Sequence, residues 1–77
     1  MSEHIADVVL HIDEHLSSDE IHSMEKELSQ TDGVYSACVH ERTPHLMVVD
    51  YDPMQTHSTF LLQNVQNHGL HAELIGF

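Results

Sequence analysis

Nine histidines occur in a chain of 77 residues, and two of them lie among carboxylates in one short run. That run carries His11, Asp13, Glu14 and His15, and is followed closely by Asp19, Glu20 and His22. Imidazole and carboxylate donors together suit borderline divalent ions such as Zn(II), Ni(II), Co(II) or Cu(II), while a surrounding negative field raises the local cation concentration. The strongest candidate ligands are therefore His11, Asp13 and His15, with Glu14, His22 and His71 as further ones. The competing expectation is an acidic loop that binds only water. Catalysis is not indicated: Cys38 is the sole thiol, and no nucleophile, base and orienting group fall into register.

Composition narrows the partners. Thirteen acids against two bases give a formal charge of -11, which repels nucleic acid and anionic lipid and favours cations or a basic protein. A chain this short buries only roughly 60% of its unfolded surface, so one thin core and one domain spanning residues 1–77 are expected. With a single cysteine there is neither an internal disulfide nor a two-thiolate ion site. The opening Met-Ser-Glu-His leads into no apolar stretch, and no run approaches the ~20 residues of a membrane span. A soluble, cytoplasmic protein is the expectation.

The elements that must position these residues are legible in the hydrophobic pattern. Ile5 to Ile12 alternates, with Ala6, Val8, Leu10 and Ile12 on one face and Asp7, Val9 and His11 on the other, as in a half-buried strand. Ser17 and Glu20 form a capping box, with Leu16 and Ile21 as a hydrophobic staple, so a helix starts there and runs to about Gln30 over Ile21, Met24 and Leu28. Gly33 stops it. Val34 to His40 and Leu46 to Tyr51 read as strands joined through Glu41 to His45, and Asp52-Pro53 ends the second of them. A helix from about Ser58 to His68, capped near Thr56, presents Leu61, Leu62 and Val65 inward and ends at Gly69. Leu70 to Ile75 supplies a final strand. The order β-α-β-β-α-β predicts a ferredoxin-like α+β sandwich, with two helices on one face of a four-stranded antiparallel sheet in the order 4-1-3-2.

In this register Asp32-Gly33-Val34, Val49-Asp50-Tyr51-Asp52-Pro53 and Leu61/Leu62/Val65 followed by Gly69-Leu70 resemble the heavy-metal-associated domain family. That family comprises small copper, zinc and mercury carriers and the N-terminal modules of metal-pumping ATPases. The resemblance spans nearly the whole chain and implies a metal-binding or metal-delivery protein that meets a metal-transport or metalloenzyme partner. Its Met-x-Cys-x-x-Cys loop falls on His15-Leu16-Ser17-Ser18-Asp19-Glu20, so Ser17 and Glu20 stand where the cysteines would be. No family ligand carries over, and any ion site here must use nitrogen and oxygen donors.

The uncovered sheet face offers a second surface. On it the strand order places Val9 and His11, Ser36, Cys38 and His40, Leu46, Val48 and Asp50, and His71, Glu73 and Ile75. His11 and His71 are expected to approach across neighbouring strands. Apolar residues among titratable ones suit an interaction surface, including a homodimer interface. The rival function is accordingly a degenerate domain that binds no metal and acts as a protein-interaction or regulatory module. His45, His57, His68 and His4 carry less information. Met24 and Met47 read as core.

Overall fold

Strict alternation along the first strand requires one covered face, and the two amphipathic helices are the only elements long enough to cover it. The computed structural model describes residues 5–75 and realises this arrangement. The elements are β1 (Ala6–Ile12), α1 (Ser18–Ser29), β2 (Val34–Val39), β3 (Leu46–Tyr51), α2 (Ser58–Gln66) and β4 (Ala72–Ile75). The sheet runs β2-β3-β1-β4 with every neighbouring pair antiparallel, a ferredoxin-like βαββαβ sandwich. His4 lies outside the described residues.

The core is the inward face of the sheet against both helices. Val8, Leu10 and Ile12 of β1, Ala37 of β2 and Met47 and Val49 of β3 meet Met24 and Leu28 of α1 and Leu61 and Val65 of α2. Ile21 and Leu62, expected inside, are only half-buried at the margins. The capping box is present in full. Ser17 Oγ accepts the Glu20 amide at 3.2 Å, and Glu20 Oε1 accepts the Ser17 amide at 2.9 Å.

Several boundaries differ from expectation, each for a local reason. The N-cap of α2 is His57, with no side-chain capping bond. Thr56 is instead buried, and its amide donates to the Asp52 carbonyl at 3.1 Å, closing the turn that follows β3. The helix ends at Gln66, ahead of His68. β2 stops at Val39 because Thr43 N–H folds back to the His40 carbonyl at 3.1 Å. β4 begins at Ala72, not Leu70. Gly33 has φ +88°, and its carbonyl accepts the Asp52 amide at 2.7 Å, locking the entry of β2 against the exit of β3.

Candidate functional site

Three chain segments converge at the end of the sheet where β1 runs out. Ile12 N–H donates to the His45 carbonyl at 2.8 Å, and Asp13 N–H donates to the His71 carbonyl at 2.8 Å. The residues just before β3 and β4 are thereby stitched to either side of the loop that leads into α1. This stitching brings histidines together that the sequence keeps far apart.

His45 is the best-held of them. Its Nδ1 lies 2.7 Å from the Ile12 carbonyl oxygen, and since that oxygen can only accept, Nδ1 carries a proton, which in the neutral tautomer leaves the lone pair on Nε2. The His45 ring stacks on His11 at 6.0 Å between centroids and 21° between planes, and His15 lies tilted against it at 5.9 Å and 55°. His11 Nδ1 sits 3.1 Å from Asp13 Oδ1. That approach is not aligned as a hydrogen bond, so Nδ1 is a buried ring nitrogen without one. His11, His15 and His45, with Asp13 at the rim, thus form a group of imidazoles at one corner of the sheet.

The other expected ligands go elsewhere. Glu14 turns to the opposite side of the loop, where its carboxylate accepts the His71 amide at 2.8 and 3.0 Å and the His71 ring Nδ1 at 2.6 Å. The pair is mutually stabilising in its charged form: the His71 hydrogen bonds hold the Glu14 carboxyl below its ordinary value, and Glu14 raises His71. Opposite His11 across the β1–β4 pair stands Glu73, whereas His71 faces Asp13 just beyond the strand, so the expected His11–His71 opposition is replaced. His22 projects from α1 into a shallow groove of about 470 Å³ that it shares with His15, His40, Glu25 and Glu41. Among the described residues, no group of three or more histidine, cysteine or acidic side chains is already arranged to hold a metal ion. The imidazole group at His45 would need its rings to turn inward; His15 and Asp13 are its exposed members.

His45 is the participant that sequence reasoning passed over. Its signal was the antiparallel pairing itself: with Leu46 opposite His11, the residue before β3 must lie beside the end of β1.

No family model matches the chain, and no curated protein does. Solved structures do. The chain superposes on a copper-binding domain from HMA7, a P-type ATPase, with TM-score 0.80 at 18% identity, over 91% of this chain and 93% of that one. It matches oxidized MerP from Ralstonia metallidurans CH34 with TM-score 0.81 at 21% identity, over 94% and 99% of the two chains. A copper form of a CopA variant from Bacillus subtilis gives TM-score 0.76 at 21% identity, over 100% of both. The chain shares the ferredoxin-like fold of these three structures.

Within this fold, the two positions that the sequence resemblance assigns to cysteines are Ser17 and Glu20, and both are engaged in the cap of α1. The lone thiol, Cys38, is exposed on β2 beside Val48 of β3. Among the described residues, no helix is long and apolar enough to cross a membrane.

Proposed function

We propose that this chain binds a divalent transition-metal ion as cargo through His45, His11 and His15, with Asp13 as an oxygen donor, and passes it to a protein partner. The observation that carries this reading is the hydrogen bond from His45 Nδ1 to the Ile12 carbonyl. A metal-ligating histidine characteristically donates its other ring nitrogen to a carbonyl or carboxylate, which fixes the tautomer and orients the ring. His45 has that arrangement, beside two further imidazoles.

The donor set selects among ions. Nitrogen and carboxylate oxygen suit Zn(II), Ni(II), Co(II) or Cu(II), and without a thiolate pair the chain lacks the soft ligands that favour Cu(I). Ligands at a sheet corner next to an exposed loop allow a partner to take the ion by ligand exchange. The shared fold and the copper-binding description of one structural neighbour are consistent with ion handling.

The test is isothermal titration of the metal-free chain with Zn(II), Ni(II), Co(II) and Cu(II) at neutral pH, repeated on His45→Asn and on His11→Ala/His15→Ala. One-to-one binding, weakened at least about tenfold in both variants, is expected. The same binding should weaken below about pH 6, because imidazole ligands must be deprotonated. Weak many-sited binding, or binding indifferent to both variants, would refute the assignment.

A further inference from the structure

Among the described residues, no helix covers the second face of the sheet, and the strand register orders its side chains into rows. Cys38, Val48, Val9 and Ile75 stand side by side across all four strands, from β2 through β3 and β1 to β4. Cys38 and Ile75 are exposed at the two ends of this row, and Val48 and Val9 are half-buried between them. One row to its side come Ser36, Asp50 and Asp7, with Asp7 directly opposite Asp50. On the other side come Leu46, His11 and Glu73.

The Asp7–Asp50 opposition is the anomaly. Directly opposed residues of an antiparallel pair bring their Cβ atoms to about 4.5–5.5 Å, and like charges so placed destabilise the sheet. Ser36 Oγ donates to Asp50 Oδ2 at 3.0 Å, but that neutral bond leaves the repulsion in place. The hydrogen bond with Asp50 and the nearby Asp50 charge push the Asp7 carboxyl above its ordinary value. The chain has only two basic side chains to answer this charge. Lys26 is on α1, which covers the other face, and Arg42 lies in the loop at the far end of β3 from Asp50. Among the described residues, no lysine or arginine stands beside this pair.

We propose that the open sheet face docks a basic polypeptide, one lysine or arginine of which seats on Asp7 and Asp50 while its apolar side chains lie along Cys38, Val48, Val9 and Ile75. Charge complementarity selects this occupant over a second copy of the chain. Two copies at net charge -11 each would bring further carboxylates against the aspartate pair. An apolar row with a carboxylate row along its side matches an extended segment running across the strands, whose alternate side chains project to opposite sides and so place apolar residues over one row and basic residues over the other. The docking residues lie outside the His45 group, with His11 bordering the apolar row, so the two proposals are separated by variants of residues that only one of them uses.

The experiment is an amide chemical-shift titration of the full chain with a synthetic (Val-Lys)4 peptide, with (Ser-Lys)4 as the control. Saturable shifts confined to Val9, Val48, Asp50 and Ile75 are expected, with (Ser-Lys)4, Asp50→Asn and Val48→Ser each binding at least about tenfold more weakly, the equivalent of about 1.4 kcal/mol. His45→Asn should leave the peptide titration unchanged, which separates failure here from failure of the ion site. The Asp7 titration should also move back toward lower pH when peptide is bound, because a cation now offsets the Asp50 charge. Equal binding of the two peptides, or shifts spread over the acidic face of α1, would mean unspecific attraction and overturn the proposal. So would concentration-dependent dimerisation through this face, detected by sedimentation, since it would make a second copy the occupant.

Discussion

Replacing Ser17 with alanine separates a folding role from a binding role at the position where the resemblance places a metal ligand. In the structure Ser17 Oγ accepts the Glu20 amide at 3.2 Å while Glu20 Oε1 accepts the Ser17 amide at 2.9 Å. Ser17→Ala removes only the first bond. Ser17 is exposed, so water takes over the freed amide and no buried donor is stranded. The expected loss is therefore the ordinary N-cap cost, about 1 kcal/mol, rather than the larger penalty of a buried orphan. For a domain of this size that lowers the melting temperature by about 4–8 °C. Thermal and urea unfolding followed by circular dichroism would measure it, with an unchanged urea slope. Glu20→Gln should melt close to the parent protein in acid, where the carboxyl is neutral, and fall below it at neutral pH. The sign follows from the Ser17 backbone and side-chain bonds that hold the Glu20 carboxyl below its ordinary value. A depressed acid contributes stability that is present above the unfolded value and is lost as pH falls through the folded one. Ion binding by Ser17→Ala should equal that of the parent. Unchanged melting would refute the capping role, and weakened ion binding would make Ser17 a ligand.

The Glu14–His71 bridge should give stability with limits on both sides. Raised His71 contributes fully below the ordinary histidine value and loses its contribution as pH rises through its folded value. Lowered Glu14 contributes above the ordinary carboxylate value and loses its contribution as pH falls through its own. The bridge is thus complete between those two ordinary values, near pH 5–6, and Glu14→Gln should flatten the pH dependence of unfolding on both sides of that window. Gly33→Ala should cost more than Gly69→Ala in urea denaturation. Both glycines have positive φ, for which alanine costs about 1–2 kcal/mol, but a Cβ at Gly33 would also meet Gln55 Cβ at 2.9 Å, whereas nothing lies within 4 Å of one at Gly69. Equal losses would show that the turn opens at little cost.

The start of α1 was the most directly legible feature. The Ser17/Glu20 box acts over three residues, so the spacing of residue types is enough to place it, whereas the positive φ of Gly33 falls beyond the Gln30 cap, in the turn into β2. At the start of α2 the expected cap, Thr56, is instead buried in the turn, and the N-cap is His57, which makes no side-chain capping bond. The sheet order followed from the element sequence because short antiparallel connections and two crossover helices leave few ways to build four strands.

By itself the sequence determined the surface charge, the absence of a thiolate pair and the βαββαβ order, since composition and local periodicity contain them. Which side chains meet was decided only in three dimensions. His45 reaches Ile12 across 33 residues and His71 reaches Glu14 across 57, distances over which no local pattern operates. A one-residue change in strand register would have turned every outward side chain to the core. The register pairs Asp7 with Asp50, sets Glu73 rather than His71 opposite His11, and brings His45 to the corner shared with His11 and His15. The sequence supplied the histidines and acids; the burial of Val8, Leu10 and Ile12 fixed the face on which each strand residue lies, and the pairing of the strands fixed which of them meet.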